Sequence, residues 1–265
     1  MESLLLQGPL GDTALLLGLS TTRVAAAFLL VPLFTQELVP SMVRNAMFVA
    51  IALLSLVLQP SAGPLALASW QWVTMFAKEA FIGGTIGLFY AGVMWAFEAA
   101  GQVIDSKIGA TQAQVTDPLS GHQTSLNGAF FSRLASWIFM TSGGLMLLIG
   151  TLLESYAHWP VRSALPPLAR AGVQLFETEF GRIMLMTLII AAPALALLYV
   201  VDGVLGLINR FAPSLNVSSL AMSLKAVAAI WIIWIQLASL VRLLQEDLFA
   251  RSEVSLRTLR VLFGG

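Results

Sequence analysis

Six long apolar blocks recur along the chain, at about 13–34, 42–58, 80–97, 134–153, 183–201 and 220–241, and they limit what it can fold into. A helix needs about 20 apolar residues to cross the hydrocarbon core of a bilayer. In lipid, every backbone N–H and C=O must find its partner inside the protein, so blocks of this length form helices. With 58% hydrophobic and only 11% charged residues, the chain could not cover a soluble surface, which carries about 25% charge. The pattern predicts an all-α membrane protein of about six hydrophobic helical segments, forming one integral domain over residues 1–265.

The blocks are not six uniform spans. The second is short, and Pro32 and Pro40 punctuate the link that precedes it. The run from Leu65 to Ala77 either extends the third block or forms a separate half-helix. Hairpins and broken helices are therefore expected. Orientation rests on the basic residues. With both termini cytoplasmic, Lys78, Arg162, Arg170, Arg182, Arg242, Arg251, Arg257 and Arg260 lie inside, against Arg44, Lys107, Arg133, Arg210 and Lys225 outside. That excess favours a cytoplasmic C-terminus.

Several function classes drop out. The 14 basic residues balance 14 acidic ones, so no field favours nucleic acid. The absence of cysteine excludes thiol catalysis and Cys-ligated metal. Only His122 and His158 are available for imidazole ligation. Ser120-Gly121-His122 lacks a nucleophile-elbow pattern, and no Walker loop occurs. No enzyme activity, metal or cofactor is expected. The N-terminus, MESLLLQGPLGD, has acids where a cleaved signal has bases, so the first apolar block is expected to stay.

Residues 101–127, GQVIDSKIGATQAQVTDPLSGHQTSLN, interrupt this apolar background. A polar connection of about 25 residues is long, and loops of that length are usually functional or disordered. Its apolar residues Ile104, Ile108, Val115 and Leu119 could pack in a cavity. Gly101 and Gly109 let the backbone turn, and Pro118 holds Asp117 extended. Asp105 supplies a second acid. Irregular backbone at membrane depth survives only where protein buries it or water lines it.

Gly83, Gly87 and Ala91 form a small-residue stripe at helical spacing, which serves either packing within the chain or a subunit contact. Gly143, Gly144 and Gly150 suggest the same in the fourth block. Lys78 and Glu79 read as an interfacial pair at a helix end or as a buried subunit contact, and Glu98, Asp202 and Lys225 pose the same question. Arg23 falls inside a block and needs a partner or reaches toward polar surroundings. Asn209–Lys225 reads as a turn, with Pro213 breaking a helix and Ser214 or Asn216 capping the next. The tail, 242–265, is amphipathic and suits lipid or a partner.

Several of these pieces, in this order, resemble the FliR/SctT family, export-gate components of bacterial flagella and type III secretion injectisomes. The resembling stretches are Arg23 through Pro32, VPSMVR at 39–44, KEAFIGGTIGL at 78–88 and GQVIDSKIGATQAQVTDPLSGHQTS at 101–125. They continue with SGGLMLLIGTLLESYAHWPV at 142–161 and DGVLGLINRFAPSLNV at 202–217. Ser142-Gly143-Gly144, and Glu154 through Val161, read like the injectisome branch; Ser218 replaces a common Phe.

The resemblance implies a single copy in a helical hetero-oligomeric gate in the bacterial inner membrane, within a secretion-system base linked to virulence. It implies SctR-like and SctS-like subunits (FliP and FliQ counterparts), an SctU-like switch protein and an SctV-like export ring as partners. Membrane lipid and exported unfolded polypeptides complete the contacts. It also implies that 101–125 acts as a plug and that the assembly stands largely out of the lipid plane. The expected function is a structural, gating subunit of the export pore. The alternative is a stand-alone secondary transporter of a small solute; that class should show internal symmetry and mid-span acids, whereas the acids here cluster at block ends.

Overall fold

The computed structural model describes residues 9–33, 39–58, 69–109, 125–163, 170–213 and 218–262. Among them the chain forms α1 (Pro9–Leu30), α2 (Ser41–Leu58), α3 (Ser69–Ile108), α4 (Leu126–Thr141), α5 (Gly144–His158), α6 (Arg170–Phe211) and α7 (Ser218–Leu262). All are α-helical, as the backbone argument requires.

The count of six segments is corrected. Among the described residues four helices are long and apolar enough to cross a membrane, through Thr13–Leu30, Gln71–Ile108, Gln174–Phe211 and Leu220–Ala250. They become five spans if α4 and α5 are taken as one broken pair. The run before the third block belongs in part to α3, a single helix of 40 residues that begins at Ser69. Helices α6 and α7 have 42 and 45 residues, roughly twice the length a span needs. Pro193 lies inside α6 without ending it. Apolar periodicity marks where helices bury a face; it does not mark where they stop.

The polar connection is also shorter than 101–127. Helix α3 continues to Ile108 because Phe97, Ala100, Ile104 and Ile108 repeat at helical spacing and are all buried. Gly109, at φ +90°, ends it by turning left-handed, and its N–H bonds the Asp105 carbonyl at 3.2 Å.

Contacts divide the chain into two compact units, residues 1–91, 143–178 and 248–265 in the first and 92–142 and 179–247 in the second. In the first unit, α1 lies directly on α3. A Cβ on Gly87 would sit 2.5 Å from the Ala27 carbonyl, and one on Gly83 would strike the Arg23 carbonyl. These glycines let two backbones meet. Leu19, Met75, Tyr156 and Val161 form a core there with Leu16 and Trp72, and Phe28 packs on Phe48 with ring centroids 5.5 Å apart. Gly143 and Gly150 have open space at the Cβ position, so they do not serve close approach. Gly143 instead takes φ +80° at the break before α5.

In the second unit Phe97 meets Phe131 edge-on at 6.3 Å. Gly101 faces the backbone of Asn127 and Gly128, which brings the N-terminus of α4 onto α3. The tail continues α7 to Leu262.

Candidate functional site

An ionic cluster lies in the core of the first unit. Arg23 on α1 forks to three partners: Glu79 Oε2 at 2.6 Å, Ser155 Oγ at 3.0 Å and the Trp159 carbonyl at 2.9 Å. Its guanidinium also stacks 4.1 Å from the Tyr156 ring centroid, and the Tyr156 hydroxyl donates to the Ser20 carbonyl at 2.7 Å. Lys78 Nζ pairs with Glu79 Oε1 at 2.9 Å. It donates to the carbonyls of Val161 at 2.7 Å, Ser163 at 2.9 Å and Pro160 at 3.3 Å. Arg23 and Glu79 are 0% exposed and Lys78 is 2% exposed.

One carboxylate thus serves two cations. The second cation's charge is met by carbonyl oxygens just past the C-terminus of α5, where a helix end is electronegative. The cluster binds α1, α3 and the turn after α5 together. Lys78 and Glu79 lie inside α3 rather than at its end, and they pair with each other and with Arg23. The stripe of Gly83 and Gly87 packs on α1, and Ala91 is buried. In the isolated chain the residues expected at a subunit contact are inside.

The second unit carries a different polar site at the end of α3. Asp105, 4% exposed, accepts from the Ser125 hydroxyl, from Asn127 N–H at 2.8 Å and from Asn127 Nδ2 at 2.5 Å. Ser125 is also the N-cap of α4, its hydroxyl accepting from Gly128 N–H at 3.0 Å. The end of α3 and the start of α4 are thereby tied together. Of the nine residues expected in the gate loop, Gly101, Ile104, Asp105 and Ile108 are on α3 and Gly109 ends it. Val115, Asp117, Pro118 and Leu119 lie outside the described residues. Sequence reasoning misses the Asp105 clamp; its signal is Ser125 standing immediately before an apolar helical run.

Close by in sequence, Lys107 pairs with Asp202 Oδ2 at 2.7 Å and Lys225 with Asp202 Oδ1 at 3.0 Å. Lys107 Nζ also sits 4.0 Å from the Tyr199 ring centroid. These three charges are 16–33% exposed. Within the same unit Arg182 bridges Glu179 at 2.9 Å and Asp247 at 2.5 Å, tying α6 to α7. Among the described residues no three His, Asp or Glu side chains are grouped to hold a metal. Each cluster is built to hold helices together.

The profile described as "Bacterial export proteins, family 1" matches residues 14–250. The chain belongs to this family. It is 32% identical over 226 residues to "Yop proteins translocation protein T" of Yersinia pestis, covering 85% of each chain. It is 28% identical over 245 residues to "Flagellar biosynthetic protein FliR" of Bacillus subtilis, covering 91% of this chain and 93% of that one. "Surface presentation of antigens protein SpaR" of Salmonella typhimurium is 27% identical over 224 residues, 81% of this chain and 80% of its own. As a FliR/SctT-type protein it is a membrane component of an export apparatus and not an enzyme.

Proposed function

We propose that this protein is a structural and gating subunit of a type III secretion export gate, forming part of the pore through which unfolded proteins cross the inner membrane. The Asp105 clamp is the observation that carries this reading. It brings Ser125 and Asn127, at the start of α4, onto a buried carboxylate near the end of α3. As a plug, the segment would use its apolar residues Val115 and Leu119 to exclude water, while Pro118 biases Asp117 to extended geometry. Burying one such aliphatic side chain is worth about 1.5–3 kcal/mol, enough for a few to seal and little enough for substrate to displace.

The relative named for Yop translocation favours the injectisome branch. SctR-like and SctS-like subunits, an SctU-like protein and an SctV-like ring are the proposed partners. Helix faces that need covering support an assembled state. In the Gln71–Ile108 window 72% is buried by the chain itself, against 22% for Leu220–Ala250.

The test is deletion of residues 110–119, which leaves Asp105, Lys107 and Ser125 in place. The complex should assemble and should leak small ions, read as conductance across the membrane with assembly checked by co-isolation. An assembled complex that stays ion-tight would move the seal to the partner subunits.

A further inference from the structure

Helices α3 and α4 meet where neither backbone leaves room for a side chain. A Cβ on Gly101 would strike the Asn127 carbonyl, and one on Gly128 would lie 2.7 Å from Ser125 Oγ and 3.0 Å from Gln102 Cγ. The Ser125 hydroxyl cannot move aside without giving up Asp105 and the cap of α4. Position 128 is therefore reserved for glycine. The clamp reserves its neighbour as well. Asn127 supplies Asp105 with two donors, its N–H at 2.8 Å and its Nδ2 at 2.5 Å, and the second of these needs a side-chain amide. Together the two demands put an Asn–Gly step at the start of α4, the only one in the sequence.

An Asn–Gly step is chemically labile. The glycine nitrogen, having lost its proton, attacks the asparagine Cγ. The N–Cγ bond forms, the Cγ–Nδ2 bond breaks, and ammonia leaves with that proton. The product is a succinimide ring, which water later opens to an aspartyl or isoaspartyl residue. Glycine speeds the step because no Cβ shields the attacking nitrogen. Here the reacting groups are engaged elsewhere. The Gly128 N–H donates to Ser125 Oγ at 3.0 Å. The leaving nitrogen, Asn127 Nδ2, is bound to one Asp105 oxygen and the Asn127 N–H to the other, which fixes the side chain against α3. Ring closure also needs the asparagine to leave helical backbone geometry, and Asn127 lies in the first turn of α4.

We propose that Asn127–Gly128 is a latent self-modification site, and that the Asp105–Ser125 network keeps it shut. Ring closure would remove the Nδ2 donor and the Gly128 N–H together. The ring-opened product would set a second carboxylate against Asp105, so the clamp could not re-form. The modification is a one-way loss of the joint between α3 and α4. It rests on no assumption about what the protein transports, and ring closure consumes no water.

The test uses the full chain assembled with its partners in native membranes, incubated in mildly alkaline buffer beside the same chain denatured. Proteolysis in acid and mass spectrometry follow the peptide that bears Asn127, counting both the loss of ammonia and its replacement by water. Asn209, which precedes Arg210, serves as the slow reference. The folded parent should be modified on the order of ten- to a hundredfold more slowly than the denatured parent, the range implied by losing a hydrogen bond to a charged group. Asp105→Asn and Ser125→Ala should each raise the folded rate toward the denatured one, with folding checked by size-exclusion recovery. Modification of the folded parent at the denatured rate would overturn the proposal. So would variants that are recovered folded and stay as protected as the parent. The parent comparison needs no substitution, so it decides even where a variant folds poorly.

Discussion

The two ionic networks, Arg23–Glu79–Lys78 in the first unit and Lys107–Asp202–Lys225 in the second, share one formula and have opposite settings. Each has a single acid between two bases from other positions in the chain. In the first the acid is 0% exposed, and the bases spend their remaining donors on Ser155 and on carbonyls past α5. In the second the acid is 33% exposed in the chain itself. Formula therefore does not set the role of a charge cluster. Burial decides whether breaking it strands a charge or merely rehydrates one.

The strongest way to break this contrast is at Glu79. Glu79→Ala leaves Arg23 and Lys78 buried without their anion and should cost about 3–5 kcal/mol. The expected outcome is loss of the folded chain from detergent extracts, measured by size-exclusion recovery. Lys78→Arg should not replace the native residue, because three convergent carbonyls suit a compact ammonium and not a planar fork. Recovery of Glu79→Ala at the level of the parent would mean that the two networks are energetically alike.

Gly87→Leu is next in size. The side chain would collide with backbone at Ala27, which has no rotamer to yield, and overpacking of this kind costs about 1–3 kcal/mol or more. A lowered thermal midpoint of the purified chain, before any partner is added, locates the fault inside the chain. A normal midpoint with failed co-isolation would return the stripe to a subunit contact.

Asp105→Ala should be milder in stability and specific in effect. Hydrogen bonds to a charged group are worth about 1.5–3 kcal/mol each, but Ser125 and Asn127 can recover part of this from water. Assembly is expected to persist with increased ion leak, read by conductance. A tight, fully assembled complex would show that the clamp does not position the gate segment.

The smallest effect belongs to Asp202→Asn. Recovery should match the parent, since these partly exposed pairs contribute little. A collapse in recovery as large as that of Glu79→Ala would erase the difference between the networks.

Much of the fold was legible in the residues. Apolar blocks too long for a soluble core require helices in a membrane setting, because backbone groups in lipid have nowhere else to bond. The spacing of Gly83 and Gly87 marked a close approach, and Arg23 inside an apolar block called for a partner or polar surroundings. Helix ends were less legible. Ile104 and Ile108 look like apolar residues of a loop in a polar stretch; only their common burial with Phe97 and Ala100 places them on α3.

The partners of each charge were decided by tertiary structure alone. Glu79 is 56 positions from Arg23, and nothing local in the sequence distinguishes it from Asp202. Which acid is buried and which is partly exposed depends on how α1, α3 and the turn after α5 close around Glu79. That enclosure is a property of three-dimensional packing, and the energy of a charge follows its surroundings rather than its neighbours in the chain.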